Sequence, residues 1–203
     1  MAHTSYDATQ LKDLLLQMLE TELAGEQVYK TAIPVARNPD LKKEWQDYLE
    51  QTRTHYNVLL TLCEDLGLDP DTRSAGRDVA KHIGKALVQS IELAASTDTA
   101  QAAELIACEC VIHAETKDHA NWELLGQVAA AASGQQAYLL KNAYARVEQD
   151  EEQHLYHSKR WHRELALKGL GMPAVLPPPA EGRHGAQAAD AGARVGSQRR
   201  SML

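Results

Sequence analysis

The chain contains no phenylalanine, and aromatic residues make up only 5% of its 203 positions. Leu, Ala, Tyr and Trp must therefore fill any core, and an Ala- and Leu-rich chain with scattered Glu and Lys reads as all-α. Cysteine is scarce too. Cys63, Cys108 and Cys110 are odd in number, and the last two stand too close along a helix to bridge, so no disulfide framework is expected and all three read as small buried residues. Positive charge does not dominate: 21 Lys and Arg against 28 Asp and Glu give a formal net charge of -7. That removes the electrostatic case for nucleic acid or an anionic membrane, with only the short stretch around Arg194, Arg199 and Arg200 departing from it. No apolar run approaches the ~20 residues that span a bilayer, and Met1 to Asp7 lacks the charged and apolar regions of a signal peptide. These absences leave a cytoplasmic protein of bacterial type as the expectation.

What is present is 44% hydrophobic residues in a length that suits one domain with a sizeable core. The first helix is expected from Ala8 or Gln10 to about Arg37. Its stripe is Leu11, Leu15, Met18, Glu22, Gly25 or Glu26, Tyr29 and Ile33, and Pro34 should kink it or end its regular part. After the Asn38-Pro39-Asp40 turn, a second helix runs from Leu41 to about Leu66 and stops at Gly67. A shorter crossover helix follows from Asp78 to Ala95, with Val79, Ile83, Leu87 and Ile91 marking its buried face. Thr97, Asp98 and Thr99 cap a third long helix reaching about Ala132, and a fourth covers Gln135 to Lys168. From Met172 the composition shifts to Pro, Ala, Gly and Arg, which reads as a disordered tail over 172–203 behind a domain over 1–171.

Within the fourth helix, Glu151 and His154 are three apart and share the stripe of Leu140, Tyr144, Val147, Trp161 and Leu165. Unpaired charge aimed at a core is costly, and a metal ion is one way to resolve it. Bundles that hold two metal ions draw a Glu from each of two helices and a Glu-x-x-His pair from each of the other two. Counting from the tight turn at 1.5 Å per residue, Glu22 stands level with His55 and Tyr56, and Glu26 with Thr52. In the second hairpin His113 is level with His154, and Glu115 falls beside Glu151.

The third helix offers two stripes. One is Leu105, Cys108, Ile112, Glu115, His119 and Trp122, and the other Ile106, Glu109, His113, Thr116 and Ala120. Periodicity does not choose between them, and the reading taken here turns Glu115 inward. Glu109, His113 and His119 are then further candidate ligands or solvated side chains in local i,i+4 pairs. Thr52 stands where a second Glu-x-x-His, ending at His55, would have its carboxylate. The candidate metal ligands are therefore Glu22, Glu26, His55, Glu109, His113, Glu115, His119, Glu151 and His154. The ion would be Fe or Mn, which carboxylate and imidazole suit. With a carboxylate missing, Zn at a single site or no metal at all are the alternatives. Two ions about 3.5 to 4 Å apart could act on O₂ or peroxide in ferroxidase-like or catalase-like chemistry.

Ala24-Gly-Glu26-Gln27 with Lys30-Thr-Ala-Ile-Pro34, and Leu49-Glu-Gln-Thr-Arg-Thr-His55 with Asp65-Leu-Gly-Leu-Asp-Pro70, resemble the bacterial ferritin-like stress proteins of the YciE/YciF type. The resemblance spans about Leu11 to Leu167 and is clearest in the first hairpin. It implies a ferritin-like antiparallel four-helix bundle with a short extra crossover helix, and a homodimer or higher homo-oligomer as the assembly. Gln51 replaces that family's second Glu in the second helix, and Ile112 stands where the third tends to carry one. The tail stretch Arg194-Val-Gly-Ser-Gln-Arg-Arg200 resembles the short Gly-Ser-Leu-type peptides that load ferritin-like cargo into encapsulin shells, with Gln198 in place of Leu. A solvated basic tail accounts for the same residues.

Overall fold

The computed structural model describes residues 6–97 and 99–173, and the tail from 174 onward, including its candidate targeting stretch, lies outside them. Among the described residues the protein is all-helical, in the order α1 (Ala8–Ala32), α2 (Pro39–Asp65), α3 (Ala75–Thr97), α4 (Ala100–Ala131), α5 (Gly134–Ala145) and α6 (Glu148–Gly169). Local chemistry sets most of these ends. The Asp7 carboxylate accepts the Thr9 and Gln10 amides at the start of α1. Pro34 has no N–H to continue that helix, so α1 stops at Ala32 rather than near Arg37. Asn38 caps α2 by accepting from the Asp40 and Leu41 amides, with Pro39 in the first turn where its missing N–H costs nothing. Gly67, at φ 67°, closes α2 while the Leu68 amide donates back to the Cys63 carbonyl. Thr99 caps α4 through the Ala102 amide, and Asp98 is outside the described residues.

Two expectations are corrected. The fourth helix is not continuous: it breaks at Arg146 and Val147, whose amides turn back to the Ala143 and Tyr144 carbonyls. Neither Pro nor Gly marks the break. The signal is instead the run Glu148, Asp150, Glu151, which puts three acids in the first turn of α6, where free amides and the helix dipole favour negative charge. The second correction concerns α3. Val79 and Ile83 are 57% and 50% exposed, and the buried face is Ala80, Gly84, Ile91 and Ala94. Small residues let this helix lie hard against α1: a Cβ on Gly84 would stand 2.3 Å from Ala24 Cβ.

Cross-helix contacts fix the directions. α2 runs back along α1, with Arg53 on Glu26 and His55 beside Glu22. α4 also opposes α1, since Thr21, Glu22, Tyr29 and Arg37 meet Asn121, Trp122, Glu115 and Glu104 in turn. α6 opposes both α2, through Gln51 with His154 and Tyr48 with His157, and α4, through Cys108 with the Ser158 carbonyl. α3 lies alongside α1, Gly76 facing Gln17 and Gly84 facing Ala24. The three cysteines are free and buried, and burial pushes the Cys63 and Cys110 thiols up to about 11.

The apolar interior is divided. One cluster gathers Leu15, Met18, Leu59, Leu62, Trp122, Leu125, Leu140 and Val147, and the other Tyr29, Leu41, Trp45, Tyr48, Ile91, Val111 and Trp161. On α1, α2, α4 and α6 the chain passes from one cluster to the other through buried polar residues: Glu22 on α1, Thr52 and His55 on α2, Glu115 and Asp118 on α4, Glu151 and His154 on α6. No helix of the described residues is long and apolar enough to cross a membrane.

Candidate metal centre

The polar layer concentrates ionisable groups where water does not reach. His55 Nδ1 lies 2.9 Å from Glu151 Oε1 and 4.0 Å from Glu22 Oε1. His154 Nδ1 lies 3.4 Å from Glu115 Oε2 and 3.8 Å from Glu151 Oε1. Two groups of potential ligand atoms therefore form, each within 4.8 Å: Glu22, His55 and Glu151, and Glu115, Glu151 and His154. Glu151 belongs to both, as a carboxylate between two ions would. All five residues are 3% exposed or less.

Partners outside the layer orient both rings. His55 Nε2 meets Asp150 Oδ2 at 3.2 Å, and His154 Nε2 meets Gln51 Oε1 at 2.8 Å. An oxygen acceptor on Nε2 draws the ring proton there and leaves the Nδ1 lone pair facing the carboxylates, the arrangement in which metal-binding histidines are held. Tyr29 donates to Glu115 Oε1 at 2.7 Å, and the Trp122 indole donates to Glu22 Oε1 at 2.9 Å. Tyr48 lies over the His154 ring at 4.1 Å and reaches His157 Nδ1 at 2.6 Å.

What remains is a set of orphans. Glu22 Oε2, Glu115 Oε2, both Glu151 oxygens, Asp118 Oδ1 and the Nδ1 atoms of both histidines form no aligned hydrogen bond, although His55 Nδ1 and Glu151 Oε1 approach to 2.9 Å. Buried polar atoms without partners are rare and costly, and here they converge. Burial, with Asp118 and then Glu151 as like charges, raises the Glu22 carboxyl well above the usual range. Burial and the charges of Glu151 and Glu115 do the same to Asp118, and burial with Glu115 pushes Glu151 up to about 8. Asp150, at the rim, is held low by its hydrogen bond to His55. Without cations, burial and repulsion between like charges favour the protonated form of the Glu22, Asp118 and Glu151 carboxyls. Two divalent ions would match the charge of Glu22, Glu115, Asp118 and Glu151 ionised together, so the donor set fits a carboxylate-rich metal site.

Of the nine candidate ligands, the fold brings together Glu22, His55, Glu115, Glu151 and His154. Glu26 is corrected out of the layer: it turns to Lys30 at 2.6 Å and Arg53 at 3.1 Å. Although burial acts the other way, these two cations hold its carboxyl below the usual range. Glu109 and His113 are exposed, Glu109 meeting His162 at 3.2 Å, and His119 pairs with Glu123 at 3.5 Å. The second stripe of α4 thus faces outward. Asp118 was missed by the sequence reading, though its place one turn after Glu115 and one before Trp122 puts it on the inward stripe. Gln51 and Asp150 were also missed, because supporting a ring from a neighbouring helix leaves no periodic trace.

The chain matches no protein-family model, no curated protein and no solved structure.

Proposed function

We propose that this protein is a ferritin-like antiparallel four-helix bundle, made by α1, α2, α4 and the broken α5–α6 helix with α3 as the crossover. In it Glu22, His55, Glu115, Glu151 and His154 hold one or two ions of Fe or Mn. The observation that carries the reading is the convergence of two outward-anchored imidazoles on a carboxylate that both ligand groups share. Such ions would supply Lewis acidity and, being redox-active, exchange electrons with O₂ or peroxide, a role in iron handling or stress defence. The chain's own residues bind and orient. Asp150 and Gln51 fix the rings, Tyr29 holds Glu115, and the two apolar clusters keep bulk water away. A homodimer is part of the proposal through the family resemblance.

Metal content of the purified chain after expression with added Fe, Mn or Zn is the test. Stoichiometric metal that persists through dialysis supports the reading, with the favoured ion naming the chemistry. Protein that carries no ion under any of these conditions overturns it. A second reading, a metal-free helical protein with a degenerate site, is favoured by one observation: burial and neighbouring like charges raise the carboxyl groups of Glu22, Asp118 and Glu151, so they can hold protons instead of a cation. A chelator that leaves the melting curve unchanged would decide for it.

A further inference from the structure

We propose that Asp118 is a metal ligand of the half-site built on Glu22 and His55, and that the two half-sites are therefore unequal. The inference rests on the metal reading above and extends it to a residue outside both ligand groups.

The starting point is an absence on α2. The spacing to His55 would put a carboxylate at position 52, but Thr52 is buried there, with its methyl 3.5 Å from where a Cβ on Gly25 would lie. Nothing anionic reaches the layer from that turn. On α4, however, Glu115 and Asp118 are three apart, a spacing that projects both from one face. Asp118 is 5% exposed, its Oδ1 has no partner, and it stands one turn before Trp122, whose indole donates to Glu22 at 2.9 Å. It also feels the charges of Glu151, Glu115 and His55, in that order. One helix thus serves both halves, Glu115 toward His154 and Asp118 toward Glu22.

With Asp118 counted, the Glu22–His55 half has three carboxylates, Glu22, Asp118 and the shared Glu151. The other half has two, Glu115 and Glu151, and each half has one oxygen already engaged, Glu22 Oε1 by Trp122 and Glu115 Oε1 by Tyr29, so the count of carboxylates is what separates them. Affinity for hard divalent ions rises with the number of anionic oxygens. The first ion therefore enters beside Asp118, and the second beside His154.

Titration of Co²⁺ into the chelator-stripped full chain, followed by visible absorption and equilibrium dialysis, tests this. The natural protein should take up two ions in separable steps. His154→Ala should lose the second step alone. Asp118→Asn should weaken the first by more than about 100-fold, beyond the loss expected when only an outer partner of a ligand is removed, and should change the band of the first ion. Asp118→Glu should keep both steps with a shifted first band. Natural affinities and spectra in Asp118→Asn would overturn the proposal and make Asp118 a proton-sharing partner of Glu22. If Asp118→Asn does not fold, Asp118→Glu decides, and an unshifted first band overturns the proposal. Natural protein that takes no cobalt overturns the metal reading instead.

Discussion

Glu151 Oε1 stands 2.9 Å from His55 Nδ1, and neither side chain is more than 2% exposed. The contact joins α6 to α2 across the middle of the protein, and the same oxygen lies 3.8 Å from His154 one turn along α6. A carboxylate so placed can serve two ions at once. It is also the anion whose loss should be felt by both.

Glu151→Gln keeps the shape and removes that charge. Two binding steps in the natural protein should both fail, by calorimetric titration with Mn²⁺, while helical circular dichroism stays the same. The melting temperature should also cease to respond to metal. At a hundredfold excess over Kd, an ion stabilises the fold by about 2.7 kcal/mol, which for a chain of this size is about 5 to 10 °C. A variant that keeps either step unaltered would show that Glu151 is not shared.

The pH dependence has a definite sign. Burial and the charge of Glu115 raise the Glu151 carboxyl from 4.5 to about 8. The folded state therefore holds a proton that the unfolded state has released. Its contribution to stability is complete below 4.5 and is lost as pH rises through about 8. Metal-free protein should melt progressively lower across that window, and Glu22 and Asp118, raised in the same direction, add to the slope. Ions compete with those protons, so the metal-induced gain in melting temperature should grow over the same range. Differential scanning calorimetry at several pH values, with metal and with chelator, measures both slopes. A gain that shrinks as pH rises would contradict the assignment.

How much of this was legible in the sequence depends on what fixes each feature. Glu151 and His154 stood out because Leu140, Val147 and Trp161 bracket them at helical spacing, a pattern local to one segment. Residue counting through the first hairpin put Glu22 level with His55, because the turn is short and the rise per residue constant. The choice between Glu22 and Glu26 was not legible, since four residues apart they share a face. It is decided by Arg53, on another helix, which draws Glu26 outward. The same holds for α3, whose hydropathy pointed to Val79 and Ile83, while docking on α1 turns on the small residues Ala80 and Gly84. Tertiary fit outranked hydrophobicity there.

That docking can be tested directly. Ala normally stabilises a helix over Gly by about 1 kcal/mol. At position 84 the added Cβ would meet Ala24 Cβ at 2.3 Å, so α3 or α1 must move. Overpacking of this kind costs about 1 to 3 kcal/mol. Gly84→Ala should therefore lower the urea midpoint, against its helix propensity. A raised midpoint would mean that α3 does not pack on α1 as described.

Gln51 stands on α2 beside Thr52, and its contact gives it a use. Its Oε1 lies 2.8 Å from His154 Nε2, so it holds the ring proton on the outer nitrogen and keeps Nδ1 free for a cation. Gln51→Leu removes that acceptor and leaves a buried N–H without a partner. The ring is then free to move its proton to the inner nitrogen, where it blocks binding. Loss of such an outer partner typically weakens metal affinity by about 10- to 100-fold. The loss should fall on the step that involves His154 and Glu115 and spare the one at His55, which Asp150 supports. Gln51→Glu, which retains an acceptor, should restore both. Equal weakening of the two steps in Gln51→Leu would mean that Gln51 acts through the general stability of α2, and Mn²⁺ calorimetry resolves the two cases.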